Sequence, residues 1–393
     1  MISRAPRVCW GTIGDDLLLW ASDDRRLHVL NATAANVWLL ADAPTTIDAM
    51  VQELSLVYGI GVDQITNDVH QLVDRFLESG LCIDTNQRAL VPPPIPVEPA
   101  PVAIPRESTV GPFRLLGSLL TVDVSDLVLR SELSRILDPL RDWSLELDDV
   151  DLSDDCIALH IEEHGGIWSL TTNGRQVGRA TSRAQILRVA LSECNAAPLR
   201  AQNSSVVFHA AGADLGDGLV VFPGVSNAGK STLITQLVQR GHRYLSDEAV
   251  AVDVSSLHAL PFHKSICIDQ GAQSLMPELS PGTGLTPTWD VDPRTIGPGL
   301  LSPGGPIKAL VFPTFEAAAT PQIRVLDPFE TMQKLISNAF DFDRVGQPAF
   351  DAMIRLANAL PAYEFIHAGG DQPLETLENL FARTRWRVDQ LVT

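Results

Sequence analysis

The stretch Gly218-Leu-Val-Val-Phe222-Pro-Gly224-Val-Ser226-Asn-Ala-Gly229-Lys230-Ser231-Thr232 decides how the second half of this chain folds. An apolar run, Leu219 to Phe222, leads into it as a strand, and a run with Leu233, Ile234, Leu237 and Val238 on one face leads out as a helix. Strand, glycine-rich turn and helix are the context of a phosphate-binding P-loop. Glycines at both ends let backbone N–H groups curl around an oxyanion, and the following helix points the positive end of its dipole at the same place. Gly224, Val225, Ser226, Asn227, Ala228, Gly229, Lys230, Ser231 and Thr232 are therefore the expected nucleotide-binding residues. Lys230 would reach the outer phosphates as a point charge, and the Ser231 hydroxyl would ligate Mg²⁺. A turn that merely turns has no reason to carry a Lys-Ser pair at its mouth.

Upstream, Val206-Val-Phe-His209-Ala-Ala-Gly212 reads as a strand ending in a histidine and a glycine. Downstream, Gly241-His-Arg-Tyr-Leu-Ser-Asp247-Glu248 places two carboxylates at the end of the next short strand, and Val250 to Asp253 continues the sheet. Parallel strands would deliver their C-terminal ends to one edge, bringing Asp247 and Glu248 to Lys230 and Ser231. Phosphoryl transfer needs a metal-holding carboxylate, and transfer to a hydroxyl benefits from a second near the acceptor proton. The adjacent acids supply both; alternatively Asp247 alone holds a metal and Glu248 is a flanking charge, as in a plain ATPase. His209 reads either as a satisfied core histidine or as part of the site.

The combination of His209, Gly224 to Ser231, Arg240-Gly241-His242-Arg243 and Asp247-Glu248 resembles the HPr kinase/phosphorylase family. The resemblance implies ATP and Mg²⁺, with Asp247 as the base that takes an acceptor serine's proton, Glu248 and Ser231 as Mg²⁺ ligands, and Lys230 and His209 beside them. Asn227 stands where the family's loop has glycine, which asparagine tolerates because it visits left-handed conformations. The second acid is Glu rather than Asp, and the family's Arg-Pro-Gly-Arg-Asn element is not visible. The layout through Lys264, Pro293-Arg294, Lys308 and Leu310 to Pro313 is closer to the HPr-kinase-related branch found beside peptide-modifying genes, including kinases of lasso-peptide precursors. Lys264 and Arg294 are nominated to steady the transferred phosphate, against the alternative of solvated surface charges. Helical patterns at Phe329 to Phe340, Ala349 to Ala359 and Leu374 to Trp386 are expected to cover the core.

The first ninety residues read differently. Strand-like segments occupy Asp15 to Ala21 and Arg26 to Leu30 around a polar turn, and Asn31 caps a short helix containing Val37 and Trp38. Thr45, with Asp48 three residues on, opens a second helix ending near Gly59; a third runs from Asp63 to about Gly80 with Ile65, Val69, Leu72, Val73 and Phe76 on one stripe. Leu30-Asn31-Ala32-Thr33 leading to Val37-Trp38, the Thr45-Thr46-Ile47 opening and Gly80-Leu81 after Phe76-Leu77 resemble a PqqD-type domain over Val8 to Asp84. That resemblance implies a small winged-helix-like fold that binds a leader peptide as an added strand on its sheet edge, packed against the third helix. A DNA-binding winged helix shares the arrangement, but the third helix carries mostly acidic charge where a reader of DNA wants Arg and Lys. Trp38 and Phe76 read as core.

From Pro92 to Pro105 the chain is proline-rich and favours an extended conformation, a spacer of up to ~40 Å at roughly 3.1 Å per residue, or else a ligand for a partner's SH3-like domain. The middle segment alternates strand-like at Gly111 to Val124 and Cys156 to Thr171, with helices from Ser125 to Leu137 and Ser182 to Glu193, and should pack onto the nucleotide domain. Asp148, Asp149, Asp151, Asp154 and Asp155 form an acidic run without an EF-hand's glycine and closing Glu, so it reads as a solvated loop. The expected division is 1–88 for peptide recognition, 89–106 as linker, and 107–393 as an α/β P-loop kinase domain with its α+β lead-in at 107–205 and its core at 206–393.

Composition sets the outer bounds. A formal charge of −19 argues against nucleic acid and against a polybasic membrane patch. No apolar run approaches the roughly 18 residues of a membrane span, and the N-terminus lacks a signal peptide's apolar core, so cytoplasmic residence is expected. Five scattered cysteines, none in a C-x-x-C pair, indicate neither a disulfide framework nor a zinc site. The expected function is an ATP-dependent kinase that captures a ribosomal precursor peptide and phosphorylates its Ser or Thr. The alternatives are a non-catalytic nucleotide-switched chaperone or a kinase of a free small hydroxy compound. Oligomeric state, including a homo-oligomer, stays open.

Overall fold

The computed structural model describes residues 1–85, 106–145, 156–216, 218–268, 276, 279, 289–340 and 342–383. The proline-rich segment Pro92 to Pro105, and with it the expected linker apart from Arg106, the acidic run at 148–155 and the end of the helix expected to reach Trp386 lie outside the described residues. Among the described residues no helix is long and apolar enough to cross a membrane. The chain divides into two compact units.

The first unit comprises Met1–Pro96, Pro328–Gln333 and Asp341–Asn358. Strands β1 (Ile2–Arg4), β2 (Val8–Ile13), β3 (Asp16–Ala21) and β4 (Arg26–Leu30) precede helices α1 (Ala32–Leu39), α2 (Ile47–Tyr58) and α3 (Val62–Glu78), and β5 (Cys82–Asp84) closes the series. β2, β3 and β4 form an antiparallel meander, while β5 returns to pair with β1. The capping signals act locally: the Asn31 side chain accepts from the Ala34 N–H at 2.9 Å, and Gly59 ends α2 at φ 63°. Thr46, rather than Thr45, caps α2 at 3.2 Å from the Ala49 N–H. Thr45 is taken up by Ile2, whose N–H and C=O meet its backbone at 2.7 and 2.9 Å. Trp38, Met50, Val69, Val73 and Phe76 fill the core, as read for Trp38 and Phe76.

The helix Gln347–Ala359, expected to cover the nucleotide core, packs in this first unit instead. Gly11 explains the fit, because a Cβ there would run into Ile354 Cδ1. The Gln347 carboxamide accepts from the Trp10 N–H at 2.9 Å and donates to the Trp10 C=O at 2.6 Å, occupying the outer edge of β2. Asp343 accepts from the Trp20 indole at 2.6 Å and from the Ser22 hydroxyl at 2.8 Å. The N-terminal unit is thus completed by residues some three hundred positions away, which no local pattern announces.

The second unit comprises Val97–Asp327, Lys334–Phe340 and Ala359–Thr393. Its lead-in sheet contains β6 (Thr109–Leu115), β7 (Ser118–Val124), β8 (Cys156–His164), β9 (Ile167–Thr172) and β10 (Arg175–Ala180), in the order β10-β9-β8-β7-β6. Helices α4 (Leu127–Leu137) and α5 (Arg183–Ala201) pack on it. α5 runs past Glu193, where the periodicity predicts its end, because Cys194, Ala197 and Pro198 are buried. Val207, Ala249 and Ala251 of the following sheet, with Phe262 beyond it, share this core, so the lead-in packs onto the segment that the sequence expects to bind nucleotide.

That following sheet holds β11 (Ser205–Asp214), β12 (Leu219–Pro223), β13 (Arg243–Ser246), β14 (Ala249–Asp253), β15 (His258–Leu260), β18 (Gly305–Phe315), β19 (Gln322–Leu326), β20 (Ala339–Phe340) and β21 (Ala362–His367). β16 (Ile266–Ile268) and β17 (Trp289–Val291) form a separate ribbon; α6 (Lys230–Gln239) and α9 (Asp371–Arg383) are helices of this unit, α7 (Pro328–Asn338) crosses the boundary at Gln333, and α8 (the helix at Gln347–Ala359) is the one described with the first unit. The order is β12-β11-β14-β15-β18-β21-β19, and a further β12–β18 pairing closes five strands into a ring. The sheet is mixed, not parallel throughout: β12, β18 and β21 run together, while β11 is antiparallel to β12, β13 and β14. A short turn bonded from the Leu215 N–H to the Gly218 C=O joins β11 to β12, and a connection that short permits only a hairpin.

Candidate functional site

β11 places the site. On one side Ala210 pairs with Pro223, the last residue of β12; on the other, β13 and β14 lie along β11 as one strand interrupted at Asp247-Glu248, with the Glu248 C=O accepting from the Ala210 N–H at 3.3 Å. The loop and the acidic pair therefore flank one residue of β11. His209, the neighbour of Ala210, accepts at its backbone C=O from the Gly224 N–H at 3.1 Å. Phe340 covers its ring at 5.5 Å between centroids.

The loop folds as its residue types require. Asn227 sits at φ 66° and Gly229 at φ 83°, both left-handed, so the asparagine adopts the conformation its position demands. Leu233, Ile234, Leu237 and Val238 are buried along α6. Gly229 has a second reason to be glycine, since a Cβ there would stand 2.8 Å from His367 Cε1. His367, buried at the end of β21, stacks on Phe365 with centroids 5.2 Å apart. Its Nδ1 accepts from the Gly369 N–H at 3.3 Å, so Nε2 carries the proton and donates to the Ala228 C=O at 3.3 Å.

A cleft of about 260 Å³ brings together His209, Lys230, Ser231, Asp247 and Glu248, with Ser226, Asn227, Gly229 and Thr232 on the loop side and Cys267 and Ile268 of the ribbon also lining it. Val225 is exposed and Ala228 buried; neither lines the cleft, nor does Gly224. Lys230 is 6% exposed and donates to the Gly224 C=O at 2.7 Å, the Val225 C=O at 2.9 Å and His209 Nε2 at 3.3 Å. Burial lowers its pKa to about 8 against the opposing pull of Glu248 and Asp247. Burial, and then the Lys230 charge, lower His209 to about 4, so its imidazole is neutral and Nε2 is an acceptor.

Asp247, 2% exposed, is held through one oxygen. Oδ1 accepts from the Tyr244 hydroxyl at 3.0 Å and the Lys264 ammonium at 2.9 Å. Oδ2 has no hydrogen-bond partner among the described residues. Burial would lower Lys264, but Asp247 and Glu248 outweigh it and hold its pKa above the ordinary value. Burial, and then Asp247, keep the Tyr244 phenol protonated.

The two basic residues nominated for phosphate are placed elsewhere. Lys264 is buried against Asp247 and does not line the cleft. Arg294 binds Asp138 at 2.5 Å and Asp292 at 2.6 Å, and it does not line the cleft either. Both placements have one cause: pairing with a carboxylate satisfies these cations more completely than an open cleft would. Tyr244 and His367 escape a reading of the sequence, although His367 repeats the strand-His-Gly pattern that singles out His209.

Oxygen donors suited to Mg²⁺ are present in Ser231, Glu248 and Asp247, beside a loop whose backbone N–H groups and helix terminus suit phosphate. No group of three or more His, Cys, Asp or Glu able to hold a metal occurs among the described residues. A metal here would depend on nucleotide phosphates for the rest of its ligands.

A second feature lies in the first unit. β4 pairs with β3 on one side, and beyond it a groove of about 580 Å³ runs between β4 residues His28, Val29 and Leu30 and α3 residues Asp68, Leu72, Arg75 and Phe76. A depression of about 620 Å³ between α4 and Asp290 contains none of the loop residues, and its Arg135 and Asp138 are bonded to Glu132 and Arg294.

Residues 18–81 match the family described as Coenzyme PQQ synthesis protein D (PqqD), so the chain carries a PqqD domain there. No curated protein sequence matches the chain. Among solved structures, TbiB1 in complex with the TbiA(beta) leader peptide aligns at 15% identity and a TM-score of 0.20, over 20% of this chain and 93% of that one. The Hpr(Ser) kinase/phosphatase from Coxiella burnetii aligns at 14% identity and a TM-score of 0.23, over 45% of this chain and 93% of that one. TM-scores of this size do not establish a shared fold.

Proposed function

We propose that this protein is an ATP-dependent kinase that binds a ribosomally made precursor peptide through its PqqD domain and phosphorylates a Ser or Thr hydroxyl of it. The observation that carries the reading is the meeting of Lys230, Ser231, Asp247 and Glu248 in one cleft at the N-terminus of α6. The loop N–H groups and Lys230 bind the ATP phosphates, and Lys230 exchanges the Gly224 and Val225 carbonyls for phosphate oxygens. Ser231 and Glu248 would hold Mg²⁺, which would supply neutralisation of the phosphate charge. Asp247 accepts the proton of the acceptor hydroxyl while that oxygen bonds to the γ-phosphorus, the bond to the β-phosphate bridge breaks and ADP leaves. Neutral His209 orients Lys230 without adding positive charge.

The PqqD domain supplies the peptide. Of the two outer edges of its meander, β2 is occupied by Gln347, whereas β4 borders the groove beside α3, where an extended leader adds as a strand. Holding the leader raises the local concentration of its acceptor hydroxyl. The test is transfer of label from γ-labelled ATP to a Ser- and Thr-containing precursor peptide that binds the PqqD domain. Leader binding without phosphopeptide would favour a nucleotide-switched chaperone instead.

A further inference from the structure

We propose that Lys264 and Tyr244 are positioning residues for Asp247: together they hold its Oδ1 and leave Oδ2 as the oxygen offered to the acceptor hydroxyl. The inference rests on the kinase reading above and specifies which carboxylate oxygen works and what holds it there.

The carrying observation is an asymmetry. Both donors, the Lys264 ammonium at 2.9 Å and the Tyr244 hydroxyl at 3.0 Å, go to Oδ1. Oδ2, on a side chain only 1% exposed, has no partner among the described residues, yet Asp247 lines the cleft that also holds Lys230 and Ser231. A buried ion pair kept for stability would satisfy both oxygens, because an unmet buried acceptor is costly and the pair itself adds little. One oxygen fully held and one buried without a partner, on a residue that lines the cleft, is the arrangement of a base that has to meet a hydroxyl at a fixed point.

The two donors are themselves fixed. Lys264 also donates to the Ser265 C=O at 3.0 Å, and the Tyr244 hydroxyl lies 3.0 Å from the Lys264 C=O. The Ser265 hydroxyl donates to the Ile136 C=O in α4 at 2.6 Å, and the Phe262 N–H bonds the Leu245 C=O at 3.1 Å. The lead-in segment, which carries no catalytic pattern of its own, thereby anchors the base through α4 and Lys264. In the transfer step the hydroxyl proton passes to Oδ2 as its oxygen bonds to the γ-phosphorus, and the electron pair of the broken bond leaves with ADP.

The test uses the full chain with Mg²⁺, γ-labelled ATP and a library of serine-containing synthetic peptides, measuring transfer rate, nucleotide affinity and thermal midpoint. Lys264→Met and Tyr244→Phe are each expected to lower the transfer rate at least about tenfold, because a slightly misplaced base is slow. Nucleotide affinity should stay within about twofold, since neither residue touches the loop. Lys264→Arg should recover part of the rate. In the Asp247→Asn background, Lys264→Met should cause no further loss, because residues acting through one group are not additive. Should Lys264→Met unfold, Tyr244→Phe removes a single hydroxyl and carries the test. Wild-type transfer with both variants within about twofold of it, or a full additional loss in the Asp247→Asn background, overturns the positioning role alone. A wild-type chain that binds nucleotide and transfers nothing overturns the kinase reading and this role with it.

Discussion

The Lys230 ammonium donates to His209 Nε2 across 3.3 Å, a cation held by a neutral imidazole rather than by a carboxylate. The Gly224 and Val225 carbonyls accept from the same ammonium at 2.7 and 2.9 Å, so three acceptors hold it at the start of α6.

His209 falls from 6.5 to about 4 on folding, so between those values the unfolded chain binds the extra proton. Stability contributed by this site is present above about pH 6.5 and is lost as pH falls toward 4, by at most about 3 kcal/mol and less where water reaches the ring. Urea unfolding between pH 4.5 and 7 should show a shallower pH dependence for His209→Gln than for wild type. Equal slopes would refute it.

Gly229→Ala forces a side chain into a left-handed backbone and against His367. We expect a loss of about 1–3 kcal/mol and a weaker nucleotide complex. Asn227→Gly, which keeps the conformation available, should bind nucleotide nearly as wild type does, whereas Asn227→Val should not. Calorimetric titration with ATP and Mg²⁺ separates the three.

Leu72 lines the groove beside β4, so Leu72→Asp places a charge where the leader's apolar side chains would lie. Peptide affinity, read by fluorescence anisotropy, should fall about tenfold or more with nucleotide affinity unchanged. Gln347→Ala, at the opposite edge, should lower the stability of the N-terminal unit by about 1–2 kcal/mol and leave peptide affinity alone.

A fragment of residues 1–88 lacks Ile354, Asp343 and Gln347 and so exposes the β2 edge and the Trp20 indole. It should associate or aggregate where the full chain does not, as light scattering would report. A monomeric, cooperatively folding fragment would contradict that role for the distant segments.

The contrast between Asn31 and Gln347 shows what a sequence can disclose. Caps, turns and amphipathic stripes act within a few residues, which is why Asn31, Gly59, the left-handed Asn227 and the buried face of α6 were legible. Partners set by long-range packing were not. The reversal of β11 hides in a four-residue turn. Lys264 and Arg294 look alike as lone cations, and only the fold reveals that each has a carboxylate partner. Tyr244 is placed by the course of β13 and His367 by the end of β21, and of the two only His367 carries a local sign, the strand-His-Gly pattern.

The most direct measurement is mass spectrometry of the precursor peptide after incubation with the full chain, ATP and Mg²⁺, for wild type and Asp247→Asn side by side. A phosphorylated Ser or Thr is expected with wild type, and a rate lower by about a hundredfold or more with Asp247→Asn. Unmodified peptide with a wild-type chain that binds both leader and nucleotide, or equal phosphorylation by the two proteins, would contradict it.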